Sequence, residues 1–300
     1  MEMTLLKVDY VTKYFGKFKA LNGVDFIVEE GEIFGFIGPN GSGKSTTIKA
    51  ILGMLKPTSG SIEIFGKDAW KDAVHIHKNI AYVPGDVNLW PNLTGGEVID
   101  LFLKLSGTNN VEKRDELIEK FDLEPTKKCS SYSKGNRQKV ALIAAFTTDA
   151  KLLILDEPTS GLDPLMEKVF QDCVLDKKKE GKSVLLSSHI LSEVEKLCDR
   201  VGIIRKGEIV EMGTLDDLRH LTRMRFVVQT NEALMNLDQQ TGIHDIFNEE
   251  NTYHFQVDSE HVSNVIKYLS QFELLKLESM PPTLEDLFMT HYGVDIERGE

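Results

Sequence analysis

The sequence predicts an α/β domain with a mainly parallel sheet, an antiparallel β part at its N-terminus and a helical insertion, followed by a small α+β domain of ferredoxin-like order. Three observations predict it. Over residues 1–220, apolar runs of strand length alternate with amphipathic helical segments. Between about residues 86 and 147 the segments are helical only. From residue 221 the pattern restarts as β-α-β-β-α-β. A chain of 300 residues also exceeds the usual single core, so two domains, 1–220 and 221–300, are expected.

The elements follow in order. "TLLKVDYV" and "VDFIVEEGE" read as two opening strands. "EIFGFIG" is a short apolar strand that runs into glycine. "KSTTIKAILGML" is a helix with Ile48, Ile51, Leu52 and Leu55 at helical spacing. "SIEIFG" and "NIAYVPGD" are strands, the latter stopped by Pro84. "GGEVIDLFLKL", "EKRDELIEKF" and "NRQKVALIAAFTT" are the helices of the insertion. "KLLILDEP" has the continuous apolar run of a buried strand. A helix (164–180), the strand "SVLLSSH" and the helix "ILSEVEKLCD" follow. "RVGIIRKGEIVEMG" is a hairpin turning at Lys206-Gly207. In the second domain, "MRFVVQT" is a strand, "NEALMNL" a short helix, and "IHDIFN" and "TYHFQV" are strands. "HVSNVIKYLSQF" is a helix, "LLKLES" a strand and "TLEDLFMTHYG" a closing helix.

Composition narrows the function classes. The net charge is −12, and residues 221–300 carry 5 basic against 14 acidic side chains, a surface that repels nucleic acid. No run of eighteen apolar residues occurs, and no basic start followed by an apolar stretch, so neither a membrane span nor a secretory signal is expected. Three scattered cysteines suit a reducing compartment and a cytoplasmic protein. "HIH" (75–77) has no further ligands nearby and reads as surface histidines rather than a metal site.

The chemistry begins at Gly38-Pro39-Asn40-Gly41-Ser42-Gly43-Lys44-Ser45, followed by Thr46. It satisfies G-x-x-x-x-G-K-[ST] between a strand and a helix, which makes the first domain a P-loop NTPase. Glycines let consecutive N–H groups turn toward phosphate oxygens, and the helix start adds partial positive charge. Lys44 reaches the β- and γ-phosphates, and the Ser45 hydroxyl ligates Mg²⁺. "LLILDEP", 112 residues on, ends a strand in Asp156-Glu157. Asp156 is placed to hold Mg²⁺, and Glu157 to orient and polarise a water; the plainer alternative is an acid capping a strand end. His189 ends another strand. In a parallel sheet the C-terminal strand ends share one rim, where His189 can meet the γ-phosphate or the water; read alone it is equally a structural histidine.

Together these residues resemble the ATP-binding cassette (ABC) ATPases over about residues 3–220. "SYSKGNRQKV" is similar to the family's signature motif: Ser133 and Gly135 match, while Tyr132, Lys134 and Asn136 depart from the usual Leu-Ser-Gly-Gly-Gln. "EPTSGLDP" resembles the D-loop, here Ser160, Gly161, Leu162 and Asp163. His189 corresponds to the switch histidine, and Phe15 in "TKYFG" to the aromatic that stacks on adenine. The resemblance implies ATP as the nucleotide and catalytic roles for Glu157 and His189. It also implies a head-to-tail dimer in which Ser133, Lys134, Gly135 and Asn136 of one cassette cap the ATP on the other. The partners implied are a second cassette and a separate polytopic membrane subunit, which places the chain on the inner face of the cell membrane. "NLWPNLTGG", with Leu89, Trp90 and Leu93, lies where the family receives that subunit, unless it packs locally. The family's usual Gln after the strand matching "IAYVP" is here Gly85, followed by Asp86, which either replaces the Gln oxygen or caps a turn. The tail "PPTLEDLFMTHYG" resembles cassettes of bacterial drug, antibiotic or polysaccharide exporters. A soluble ATP switch on ribosomes or nucleic acid is the alternative within the family; it fits less well with one cassette, no heptads and an acidic tail. A P-loop phosphotransferase would leave the signature, D-loop and switch histidine without a role.

Overall fold

The opening strands alternate apolar and polar residues, and that alternation sets one face of each toward the core. In the computed structural model, which describes residues 4–107, 110–220, 223–281 and 283, they are β1 (Thr4–Phe15) and β2 (Phe18–Glu29). β3 (Ile33–Ile37), α1 (Lys44–Ile51), β4 (Ser59–Ile64), β5 (Lys67–Asp68), α2 (Ala73–Ile76) and β6 (Ile80–Val83) follow. The helical block is α3 (Gly95–Ser106), α4 (Val111–Lys120) and α5 (Lys134–Thr147). Then come β7 (Leu152–Asp156), α6 (Pro164–Lys179), β8 (Ser183–Ser188), α7 (Leu191–Leu197), β9 (Arg200–Arg205) and β10 (Glu208–Thr214). The rest is α8 (Leu215–His220), β11 (Met224–Thr230), β12 (Ile243–Glu249), β13 (Thr252–Val257), α9 (Val262–Leu269) and β14 (Leu274–Met280).

Two sheets build the first unit. β2-β1-β4-β5 is antiparallel, and β10-β9-β3-β8-β7-β6 contains parallel pairs from β9 through β6. β3, β7 and β8 are buried along their whole length, as their unbroken apolar runs require. Phe26 of β2 stacks on Phe34 and Phe36 of β3, each at 5.2 Å between ring centres, and so joins the two sheets. Burying each ring stabilises the fold by about 1.5–3 kcal/mol. On the opposite face of β3, a Cβ at Gly35 would come within 2.7 Å of Val194 and 2.9 Å of Cys198, so α7 lies directly on the strand there. α1 ends at Ile51, and Leu55 lies half-buried beyond it rather than continuing the helix.

The chain divides into compact units at Met1–Met212 and Gly213–Glu300. The sequence reading puts the boundary at 220, and the difference is α8. That helix starts in a reciprocal cap: Asp217 N–H donates to Thr214 Oγ1, and Thr214 N–H to Asp217 Oδ2, both at 3.1 Å. In the second unit the antiparallel order β12-β13-β11-β14 is ferredoxin-like, with α9 packed on one face through Val265, Tyr268 and Leu269. The helix expected at "NEALMNL" is not formed. Asn236 adopts a left-handed conformation (φ 59°), and only a 3₁₀ turn, Leu237–Gln239, follows. The closing helix expected at "TLEDLFMTHYG" lies outside the described residues, save Thr283.

Phe36→Ala should lower the unfolding free energy of the first unit by about 3–5 kcal/mol, read as an earlier urea midpoint in circular dichroism.

Candidate active site

β3 delivers the chain into the 38–43 loop, and the loop's neighbours leave no room for alternatives. A Cβ on Gly38 would collide with the Ile204 carbonyl oxygen and come within 2.6 Å of Ser42 Oγ. Gly43 sits at φ 116°, open only to glycine. The hairpin turn after β9 supports the loop from behind, with Gly207 N–H donating to Ser42 O at 2.8 Å. α1 begins at Gly43 with no side-chain cap and no acid in its first turn, so its leading N–H groups remain for an anion. A cleft of about 310 Å³ opens here, lined by Asn40, Gly41, Gly43, Lys44, Ser45, Thr46, Phe18, Ala20 and Glu157.

Lys44 is buried. Its Nζ donates to Gly38 O (2.6 Å) and Pro39 O (3.2 Å) and stands 3.7 Å from Glu157 Oε1. Burial lowers the ammonium's pKa, and Glu157 and Asp156 pull it part of the way back. Asp156 ends β7 at 6% exposure, with Oδ1 enclosed and without a hydrogen-bond partner. An orphaned carboxylate oxygen is what a divalent cation satisfies, and Ser45 is exposed in the cleft that the adjoining Glu157 also lines, so the donor chemistry of Asp156 and Ser45 fits a Mg²⁺. Among the described residues, no group of three or more His, Cys, Asp and Glu forms a metal cage by itself. His77 is instead tied to the Leu52 carbonyl at 2.8 Å, and His75 is exposed.

Glu157 adopts a left-handed backbone (φ 49°), a conformation that costs about 1–2 kcal/mol. Its N–H bonds Ser187 O at 2.9 Å and its carbonyl accepts Ser160 N–H at 3.2 Å. The strained turn brings its carboxylate back over the loop, where Oε1 is 3.4 Å from His189 Nδ1 as well as 3.7 Å from Lys44. Gly85 approaches the same turn: a Cβ there would lie 3.2 Å from Asp156 O and 3.6 Å from Glu157 Cβ. Asp86 is exposed and accepts from Asn88 Nδ2 at 3.4 Å, an arrangement within its own turn.

The second motif is assembled elsewhere. Ser133 N-caps α5, accepting Asn136 N–H at 3.2 Å. Lys134 Nζ donates to Ser160 Oγ at 2.6 Å, and a Cβ on Gly135 would collide with the Gly161 carbonyl oxygen. Residues 133–136 therefore adjoin residues 160–161 of their own chain, and none of them lines the cleft on the phosphate loop. Asp163 caps α6, accepting Met166 N–H at 3.0 Å ahead of Pro164, and Leu162 is half-buried before it. Phe15 and Phe18 face each other across the β1–β2 turn; both are largely exposed, and Phe18 is the one that lines the cleft. Sequence reasoning missed Phe18, although its signal, a second aromatic three residues after Phe15, was present. Leu89 lines a separate groove of about 860 Å³ with Phe102, Leu105 and Tyr82; Trp90 is half exposed, 6.3 Å from the Phe102 ring, and Leu93 is half-buried.

Residues 21–160 match the family model of the ABC transporter domain, and residues 213–292 match that of the C-terminal domain of DrrA1-3-like ATP-binding proteins. The second match begins where the second compact unit does. The chain is 34% identical to the ABC transporter ATP-binding protein YhaQ of Bacillus subtilis, covering 98% of this chain and all of that one. It is 33% identical to the bacitracin transport ATP-binding protein BcrA of Bacillus licheniformis, covering 97% and 98%. The chain belongs to the ABC transporter ATP-binding subunits. A solved ATP-binding subunit of an ABC transporter superposes with a TM-score of 0.68 at 35% identity, over 72% of this chain and 92% of that one. A dimeric post-hydrolysis cassette bound to ADP and phosphate superposes at 0.65 and 27% identity, over 70% and 99%. This ABC subunit is an ATPase of cassette fold, as the sequence predicts. No helix among its described residues is long and apolar enough to cross a membrane.

Replacing Lys44 by Ala removes the one buried cation of the cleft and should weaken ATP binding at least tenfold in calorimetry, the scale of a lost charge-assisted contact. The double change Phe15→Ala, Phe18→Ala should cost about 1–3 kcal/mol of ATP affinity if the hairpin tip carries the adenine.

Proposed function

We propose that this subunit dimerises on ATP, hydrolyses it with Glu157 and His189, and drives export through a separate membrane subunit. The observation that carries the reading is the split site: one chain holds a phosphate loop and a signature motif, and its own motif does not line its own cleft. Two chains placed head to tail complete both clefts, and the dimeric cassette among the solved relatives supports that arrangement.

The chemistry follows from the geometry. ATP phosphates take the open N–H groups of the loop and α1, and Lys44 exchanges its bonds to Gly38 O and Pro39 O for β- and γ-phosphate oxygens. Ser45 and Asp156 would hold a Mg²⁺, which would supply charge neutralisation for the phosphates. Glu157 accepts a proton from the attacking water, and His189, 3.4 Å from its carboxylate, keeps that group and the γ-phosphate in place. Phe15 with Phe18 carries the adenine. From the partner cassette, Ser133, Lys134, Gly135 and Asn136 bond the γ-phosphate, so its loss on hydrolysis loosens the dimer. Ser160 and Gly161 lie against the motif of their own chain and, with Leu162 and Asp163, link it to that chain's Glu157. Gly85 has no side chain to sense the metal, and Asp86 keeps its turn role.

Two further features support transport. The groove beside Leu89 is apolar and open, with Trp90 exposed at its edge, and suits a helix of a membrane partner at the inner face of the membrane. Relatives similar along almost the full chain are named for bacitracin transport and linearmycin resistance, which favours export.

Glu157→Gln should bind ATP, hydrolyse it at least a hundredfold more slowly and elute as a dimer in size-exclusion chromatography. Neither Lys44→Ala nor Ser133→Arg should turn over alone, whereas mixed subunits should regain activity from the one intact composite site. Failure to complement under demonstrated subunit exchange would remove the shared site. Affinity purification should recover a polytopic membrane protein; recovery of ribosomes instead would favour the soluble switch.

A further inference from the structure

Glu193 is an acid held inside the first unit, with no part in the nucleotide chemistry above. It lies in the first turn of α7 and is 3% exposed. Its Oε2 accepts the Ser188 hydroxyl at 2.8 Å, and the same Ser188 Oγ accepts the Ile190 N–H at 3.0 Å. Ser188 and Ile190 are the residues on either side of His189. The Thr159 hydroxyl, itself buried, lies near enough to help lower this carboxylate's pKa. Thr159 stands two residues after Glu157. The other oxygen of Glu193, Oε1, is enclosed without a hydrogen-bond partner, so this carboxylate is bonded to the segment that carries His189 and lies near the one that carries Glu157, two groups 3.4 Å apart. A core rarely retains an acid without a counter-charge unless the acid does something, because an apolar or amide side chain of similar size avoids the desolvation cost.

We propose that Glu193 is a positioning residue for ATP hydrolysis: its carboxylate holds the Ser188 hydroxyl, which in turn fixes the Ile190 N–H, and thereby sets the approach of His189 to Glu157. The proposal rests on Glu157 and His189 being the catalytic pair.

The groups that face Glu193 are Ser188 from β8, Thr159 from the turn after β7, Glu167 from α6 and Cys198 just past α7. Burial pushes its pKa up to about 7, the two hydroxyls draw it down, and Glu167 pushes it up. Cys198 stays a neutral thiol, since burial and the nearby Glu193 hold its pKa well above the ordinary value. A raised pKa means that the native state binds this proton more tightly than the unfolded chain does. The resulting stability is complete below the ordinary value of 4.5 and is lost as pH rises through about 7. The ionised form is nonetheless the one that holds the Ser188 hydroxyl most firmly, because it can only accept. The protonated acid, and Gln in its place, are neutral, carry a donor of their own and hold that hydroxyl less firmly. The fold gives up stability near neutral pH for a fixed catalytic pair.

The test uses the full chain with Glu193→Gln, following ATPase kinetics from about pH 6 to about pH 8.5 alongside thermal melting. At the alkaline end, kcat should fall about tenfold with KM changed less than about twofold, the scale of a displaced catalytic group. The wild-type to Glu193→Gln ratio of kcat should shrink toward unity as pH falls through about 7. Melting temperature at the alkaline end should match or exceed the wild type, which separates positioning from mere support. Ser188→Ala, which keeps the acid and removes one hydroxyl, should lower kcat similarly and covers the case in which the first variant fails to fold. An unchanged kcat in both variants, a ratio independent of pH, or a kcat loss that only follows a lower melting temperature would overturn the proposal. Glu157→Gln, measured in parallel, tests the foundation separately: full turnover there removes the catalytic pair whatever Glu193 does.

Discussion

The site depends on three parallel strands ending level with one another. β3 pairs Ile37 with Ser188, and β7 pairs Asp156 with Ser187, so the chain leaves β3, β7 and β8 at nearly one height. What emerges there is the phosphate loop, the Asp156-Glu157 pair and His189. The backbone bond from Glu157 N–H to Ser187 O extends the ladder by one residue and holds the Asp156-Glu157 turn to the next strand. A register shift of a single residue would turn the apolar faces of these buried strands against their neighbours and would separate the three contributions. The Phe26–Phe34–Phe36 stack beneath secures β3 in that register through the antiparallel sheet.

Polar groups are concentrated above this frame at a cost the apolar core offsets. Lys44 is buried against loop carbonyls, Asp156 has an unsatisfied oxygen and Glu157 sits in a left-handed conformation. Each is unfavourable in the isolated chain, and under the proposed function each is relieved or used when triphosphate and metal arrive. Binding energy is thus spent on groups already in place, which is how an ATPase keeps reorganisation small during reaction. The contact of the signature segment with residues 160–161 belongs to the same economy. It is made within one chain, by a lysine amine on a serine hydroxyl and a glycine on a glycine carbonyl. Whatever moves α5 therefore moves the turn that follows Glu157.

Much of this was legible in the sequence because it is local. A phosphate loop needs its glycines and Lys44 contiguous, a buried parallel strand needs an unbroken apolar run, and the hairpin at Lys206-Gly207 needs two left-handed residues, found at φ 48° and 83°. The helices of the insertion and the ferredoxin-like strand order followed from periodicity. The misreadings were also local signals, overruled by neighbours. "NEALMNL" has helical composition, but the left-handed Asn236 interrupts it. Leu55 continues the α1 stripe on paper, yet the helix stops at Ile51. The boundary near residue 220 gives way to a Thr214–Asp217 cap that starts a helix earlier.

The sequence by itself determined which residues are the candidates for the chemistry and, through motif and period, the fold that carries them. Only the tertiary structure decided how those residues meet. That Phe18 lines the cleft, that Gly85 lies against the Asp156-Glu157 turn, that the signature segment adjoins residues 160–161 and not its own phosphate loop, and that Glu193 stands behind His189 all depend on contacts between residues far apart in the chain. Spacing along a chain encodes backbone direction and face. It does not encode which distant side chain fills the space opposite, because that follows from packing the whole core at once.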